Sequence, residues 1–394
     1  MHGLARCGID SRSAEFSELV GEGLEGGPRF ALLAEGAADA AEEGGLGAHE
    51  AAIFVEAGAF AGAGACVVFT TKPFRPAADA PRLVVDIKRV EVETGEVTRI
   101  WRSENLANGG TIGPDGRLYF AFQGQQPGGE GGGDGVESLG GVFSAHPPDA
   151  AAGAPPSADD DAGAEPSAKR RRRRRHAEKL LPPSAWRVHV NRWGDHPFNS
   201  PNDVVVRRAD GSVWFTDPSY GHRQGFRPRP TLGDWVWRHD PATGATAVVA
   251  DGFARPNGIC FSPDESVVYV TDTGHATGDG GDRALDPAGP RSVYAFDVAA
   301  DGAHLERRRL LYVADAGVPD GIKVDRAGRV YTGCADGVHV LAPSGALLGK
   351  VLVRGCEGGA ANLCFGRGAY ASTLFILAEG AVLSLELHGA SGAL

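Results

Sequence analysis

Residues 200–221 read SPNDVVVRRADGSVWFTDPSYG, and the rest of the chain is built on variations of this stretch. Val204, Val205 and Val206 are apolar and β-branched, Asp210-Gly211 is a turn dipeptide, and Val213-Trp214-Phe215 resumes an extended run. That pattern predicts a β-hairpin. Polar groups gather at its ends: Pro201-Asn202-Asp203 ahead of the first strand and Asp217-Pro218 behind the second.

The same arrangement recurs along the chain. His49-Glu50 precedes AAIF, with CVVF following; Asn108 precedes GGTI and RLYF. Pro256-Asn257 precedes GICF and VVYV, Pro319-Asp320 precedes GIKV and RVYT, and Ala361-Asn362 precedes LCF and TLFIL. Further strands follow within each unit, as at Trp235-Val236-Trp237 and 245–249. Four strands in a unit of about 50 residues, met six times, predict an all-β, six-bladed β-propeller with four-stranded blades. The last unit shows three strands, so Phe30–Leu33 is expected to complete that sheet and close the ring. Residues 1–28 are expected to form a flexible N-terminal extension, with the propeller over 29–390. Trp214, Trp235 and Trp237 are read as core between blades.

Residues 124–183 break the rhythm. They are rich in Gly, Ala, Pro, Asp and Ser and include Lys169 followed by Arg170 to Arg175. Such a composition cannot bury a core. Within and after it, Gly141-Val142-Phe143 and Trp186-Arg187-Val188-His189-Val190 read as the third and fourth strands of blade two, so the low-complexity tract between them is expected to be a disordered insertion in a hairpin loop. The basic run is read as a solvated block rather than a nuclear-import or RNA-binding signal. Net charge of −11 argues against a nucleic-acid surface, which needs clustered positive charge. The sequence has no signal-peptide-like start and no apolar run of about 18 residues, which points to a cytoplasmic protein without a membrane partner. The six cysteines are scattered without CxxC spacing, so reduced, buried thiols are expected rather than a zinc site or disulfide framework.

In a propeller the first strand of each blade lines the central channel, so the residues at strand entry converge near the axis. That slot reads Glu50, Asn108, Asn202, Asn257, Asp320 and Asn362, all oxygen donors. Carboxylates and amide carbonyls suit a hard divalent cation, whereas zinc favours His and Cys. Asn and Asp also begin turns readily, which is the competing explanation for each position taken singly. Tyr220 and His222, with Asp217, end the opening hairpin near the funnel and are candidates to touch a small ligand.

The runs SPNDVVV…DGSVWFTDPSYG, RPNGICFSPDESVVYVTDT and VPDGIKVDRAGRVYTGCADGVHV resemble the gluconolactonase branch of the senescence-marker-protein/gluconolactonase (regucalcin-like) family. Members of that family are six-bladed propellers that hydrolyse lactones around one divalent metal. The resemblance implies that Glu50, Asn257 and Asp320 bind the metal, with Asn202 completing or bordering the site. It also implies that Asp320 serves as proton acceptor and donor. Ca²⁺ is the expected ion, with Zn²⁺, Mn²⁺ or Mg²⁺ as alternatives, and a sugar lactone such as an aldono-1,5-lactone is the expected substrate. Asn202, Tyr220 and His222 are the expected substrate contacts. Animal members carry Arg two residues before their counterpart of Asn202, where this chain has Ser200.

Two other readings compete. A non-catalytic propeller would use its faces to bind a partner, but it has no need of Glu and Asp on its axis. A paraoxonase-like esterase would need a His dyad near the metal, for which His49 and His222 are the candidates. Deletion of residues 150–182 is expected to leave cooperative thermal unfolding intact; loss of the folded state on deletion would place those residues in the core.

Overall fold

The computed structural model describes residues 7–23, 27–36, 46–60, 63–76, 80, 82–126, 139–147, 186–279, 284–356 and 358–393. Most of the insertion, including the Lys169–Arg175 run, lies outside them. The described strands form six blades and one separate two-stranded ribbon, Arg192–Trp193 with His196–Pro197. Blade one contains Glu50–Val55, Cys66–Thr70, Val85–Glu91 and Val97–Ser103. Blade two contains Ala107–Ile112, Leu118–Phe122, Gly141–Ala145 and Arg187–Val190, and blade three Val204–Val206, Val213–Asp217, Trp235–His239 and Thr246–Ala250. Blade four contains Pro256–Phe261, Val267–Asp272, Ser292–Val298 and Leu305–Val313. Blade five is built from Ile322–Val324, Val330–Cys334, Gly337–Leu341 and Leu347–Val353. In blade six, Asn362–Phe365, Thr373–Leu377 and Ala381–Glu386 are joined by Phe30–Glu35, which pairs antiparallel with Ala381–Glu386 and closes the ring as the sequence predicts.

The hairpin that opened the reading is present, with Val204 opposite Phe215 and Val206 opposite Val213. Its connection is longer than a two-residue turn. The Arg207 N–H bonds the Ser212 carbonyl, and Gly211 takes the left-handed conformation at φ +70°. The side chains alternate between the two faces of the sheet and so serve two different neighbours. Trp237 and Phe215 pack with Tyr119, Val142 and Val190 of blade two, while Trp214 packs with Ile259, Phe261 and Val268 of blade four. The Trp214 and Phe261 rings meet edge to face at 5.5 Å. Cys66, Cys260, Cys334 and Cys364 are buried and free, and Cys7 and Cys356 are only partly buried.

The N-terminal residues expected to form a flexible extension contain ordered structure. Cys7–Ser11 adds a fifth strand to blade five, in register with Gly349–Val353. The helix Ala14–Val20 follows, capped by the Ser13 hydroxyl, which accepts from the Phe16 N–H, and ended by Gly21 at φ +76°. Its apolar residues Phe16, Leu19 and Val20 fall on one face and are buried against blades five and six. Phe16 lies where a side chain on Gly349 would stand, with a Cβ there only 2.0 Å from its ring. Among the described residues no helix is long and apolar enough to cross a membrane.

The entry residues of successive blades are tied together by hydrogen bonds at one level of the channel. Thr70 Oγ1 donates to the Asn108 carbonyl, Thr216 Oγ1 to that of Asn257, and Thr271 Oγ1 to that of Asp320. At the other junctions the Gly109 N–H donates to the Asn202 carbonyl, and the Gly321 N–H to that of Ala361. Asn362 Nδ2 closes the circuit on Glu50 Oε2 at 2.5 Å. The glycines after Asn108, Asn257 and Asp320 serve this approach. A Cβ on Gly109 would stand 2.5 Å from Asp203 Oδ1, on Gly258 2.4 Å from the Asp320 carbonyl, and on Gly321 2.4 Å from the Asn362 side chain.

Two outcomes follow for stability. Thr216→Val is expected to cost about 1–3 kcal/mol, because it strands the buried Asn257 carbonyl and Asp203 N–H; urea denaturation measures it. Phe16→Ala is expected to cost about 3–5 kcal/mol in the same assay, whereas a detached N-terminus would give no change.

Candidate functional site

The girdle sets the backbone of the entry residues, and a local register shift sets their side chains. In blades one, two and four the pairing slips between Glu50 and Ile53, Ala107 and Gly110, and Pro256 and Ile259. A shift of this kind turns a side chain away from the sheet face and re-aims it. In blade three a carboxylate holds the approach instead. Asp217, at the end of the second strand, accepts the N–H groups of Asn199 (2.9 Å) and Ser200 (2.8 Å), just ahead of Asn202. Asp272 does the same in blade four for Ala254 and Arg255, ahead of Asn257. Asp217, a candidate to touch a ligand, thus spends its oxygens on the backbone and does not line the cavity at the axis. Burial pushes its carboxyl up to about 8, with the two backbone donors pulling the other way.

A funnel-shaped cavity of about 510 Å³ opens at the axis. Glu50, Asn202, Asn257 and Asp320 all line it, as does Asn108. Asn362 does not; its Oδ1 accepts the Leu363 N–H while its Nδ2 holds Glu50. The Asn108 Oδ1 is likewise taken, by the Gly109 N–H at 3.0 Å. By contrast, Asn202 Oδ1 and Asp320 Oδ1 are buried and have no hydrogen-bond partner. Two unsatisfied oxygens beside the Glu50 carboxylate in one cavity form a donor set that suits a hard cation.

The charges agree with that fit. Glu50 is raised well above the ordinary carboxyl value by burial, then by Asp320 and Asp203. Burial pushes Asp320 up to about 6; His49 and Lys72 pull it down, while Glu379 and Asp203 push it further up. Asp203, the third acid, is buried and also raised by burial, although Lys323 and the N–H groups of Val204 and Ile259 oppose this. Lys323, acting on Glu50 and Asp203, and His49 and Lys72, acting on Asp320, do not offset the burial and mutual repulsion of the three carboxyl groups, which is the condition a bound cation relieves. Asp203 escaped the sequence reading because, next to Asn202, it reads as turn chemistry.

The rim carries residues that the repeat pattern did not mark. Glu379 takes a left-handed backbone at φ +54° and exchanges two backbone hydrogen bonds with Ala48, joining blade six to blade one. Its Oε1 lies 2.9 Å from His49 Nδ1 and 3.0 Å from Lys72 Nζ, and both partners line the cavity. Burial works against ionisation of Glu379, but His49 and Lys72 overcome it and hold the carboxyl below its ordinary value. Tyr220 also lines the cavity, its hydroxyl bonded to Thr273 Oγ1. His222 does not reach it. On the short helix Tyr220–Arg223 it stands two residues from Tyr220 and faces solvent, whereas Gln224, four residues on, returns to the cavity. The His pair that a paraoxonase-like site would need is not assembled among the described residues, since only His49 lies at the funnel.

A second group, Asp315, Asp336 and His339, lies on blade five away from this cavity. Lys350 Nζ stands 2.5 Å from Asp315 and 2.9 Å from Asp336, so the chain's own ammonium already pairs with both carboxylates.

Comparison with known proteins places this architecture. Residues 168–379 of the 394 match the profile described as SMP-30/Gluconolactonase/LRE-like region. The lactonohydrolase oryH of Aspergillus oryzae is 39% identical over 173 residues, which is 40% of this chain and 35% of that one. A gluconolactonase of Zymomonas mobilis is 32% identical over 202 residues, 49% of this chain and 51% of its own length. The chain thus spans about a third to a half of the curated relatives it matches. A solved gluconolactonase from Xanthomonas campestris superposes with a TM-score of 0.63 at 24% identity, covering 97% of this chain and 95% of that one, a likeness of fold. With more than half of its length matched by one profile and the six blades in place, the chain belongs to the SMP-30/gluconolactonase/LRE-like family.

Proposed function

We propose that this protein is a metal-dependent lactonase that opens a sugar lactone, or a similar cyclic ester, with an activated water. The observation that carries the reading is the pair of unpartnered buried oxygens, Asn202 Oδ1 and Asp320 Oδ1, beside Glu50 and Asn257 at one cavity. Glu50, Asn257 and Asp320 would hold one divalent cation, with Asn202 at its border. The all-oxygen set favours Ca²⁺, since among the described residues no Cys lines the cavity and His49 is engaged by Glu379. The names of the relatives, lactonohydrolase and gluconolactonase, point to the same reaction class.

When bound, a divalent cation supplies Lewis-acid polarisation of the carbonyl and acidifies water. The residues of the chain do the rest. Asp320 takes a proton from the water as its oxygen adds to the carbonyl carbon. The ring C–O bond then breaks, Asp320 returns that proton to the departing ring oxygen, and a hydroxy acid is released. Tyr220, braced by Thr273, and Asn202 border the ring and orient it. A scaffold propeller offers no account of Glu50 and Asp320 together at its axis, both raised by burial, because nothing in partner binding offsets the cost of keeping them there.

Hydrolysis of glucono-1,5-lactone, followed by pH-stat, is expected to disappear on treatment with excess chelator and to return with Ca²⁺. Asp320→Ala is expected to lower kcat/KM by about 10³-fold or more. Full activity in chelator, or an active Asp320→Ala protein, excludes the mechanism.

A further inference from the structure

Two glutamines two residues apart follow the second strand of blade two, and they are in opposite states. Gln125 is saturated: its Oε1 accepts the Leu83 N–H at 2.8 Å, and its Nε2 donates to the carbonyls of Leu83 (3.2 Å) and Glu104 (3.1 Å). It pins Leu83, which lines the funnel. Gln123 is held by its backbone, whose N–H donates to the Leu106 carbonyl at 3.0 Å, and its side chain lines the same funnel. Although Gln123 is only 3% exposed, its Oε1 has no hydrogen-bond partner. A buried amide oxygen left without a donor is disfavoured unless something else supplies one.

The neighbours say what that something is. Asn108 spends its Oδ1 on the Gly109 N–H, which leaves its NH₂ as the end without a hydrogen-bond partner among the described residues. The blade-two wall therefore offers a neutral acceptor at Gln123 and a neutral donor at Asn108, while the acids and the cationic Lys72 come from blades one and five. A hydroxyl group both donates and accepts, and it carries no charge. It is the group that satisfies both amides at once.

We infer that Gln123, with Asn108, forms a subsite that recognises the ring hydroxyls of a polyhydroxylated six-membered-ring ligand. The inference rests on the lactonase reading for where the ligand sits, but its consequence is one of binding. A site built to hydrogen-bond a hydroxyl discriminates against the analogue that lacks it, because its own buried polar atom is then left unpaired.

The test titrates 1,5-anhydro-D-glucitol and tetrahydropyran, neither of which can be hydrolysed, into the full chain, with binding read by saturation-transfer NMR. Wild-type protein is expected to prefer the polyol by about tenfold or more. Gln123→Met, close in shape but lacking the amide, is expected to erase that preference through the polyol alone, and Gln123→Glu, which keeps an acceptor oxygen, to retain it. Mono-deoxy analogues of the polyol titrated into wild-type protein give the same answer without a variant: removal of at least one hydroxyl is expected to cost about tenfold. Undiminished preference in a folded Gln123→Met protein, no loss with any deoxy analogue, or no polyol binding by the wild type overturns the subsite. A Gln123-dependent preference in a protein that opens no lactone sustains the subsite and rejects the lactonase reading.

Discussion

The hydrogen bond from the Thr216 hydroxyl to the Asn257 carbonyl, 2.6 Å long and fully buried, stands for the constraint on which the rest of the structure depends. It joins the end of one blade's second strand to the channel entry of the next blade. Thr70 and Thr271 repeat it at two other junctions, and backbone donors from Gly109 and Gly321 replace it where no threonine is placed. Blades that met only through apolar side chains would be free to slide along the axis, since hydrophobic packing is not directional. Hydrogen bonds are directional, and a ring of them fixes the height of every entry residue at once. The convergence of Glu50, Asn202, Asn257 and Asp320 is a consequence of that ring.

Convergence has an electrostatic cost. Once the entry residues share one level, the carboxyl groups of Glu50, Asp203 and Asp320 lie close enough to oppose one another's ionisation, and burial adds to the effect. Lys323 lowers two of them, Glu50 and Asp203. Asp203 spends its oxygens on the Val204 and Ile259 N–H groups, at 2.8 and 3.2 Å, and so acts as a structural strut between blades three and four. Asp320 and Asn202 keep an oxygen each without a partner. The girdle thus separates acids used to hold the blades from oxygens left open toward the funnel.

Above that level the funnel is shaped by segments that belong to no repeat. The Glu379 carboxylate holds His49 and Lys72, and the Tyr220 hydroxyl reaches Thr273 in the next blade. Rims of this kind follow from the fold's economy: strands are confined by pairing, while the loops between them vary freely and carry specificity.

The six blades are legible in the sequence because they are written in local terms. Apolar runs, paired strands and a polar residue at each entry need only neighbours in the chain to be recognised, and even the closing strand at Phe30–Glu35 could be inferred from a unit one strand short. Local reading failed where long-range contacts rule. Phe16, Leu19 and Val20 are core only because blades five and six lie against them. The glycines after Asn108, Asn257 and Asp320 look like turn formers but are small because the next blade passes within contact of their Cα. Asp217 and Tyr220 read alike as ends of a hairpin, yet one is a buried staple and the other faces the funnel. His222 turns outward because helical geometry gives positions two apart opposite faces. Sequence alone determined the repeat, the oxygen-rich character of its entry positions and the family they point to. Which of those oxygens remain free, and that Gln123, Lys72 and Glu379 join them, was decided by tertiary structure, since a hydrogen bond between residues far apart in the chain leaves no mark on the spacing of either.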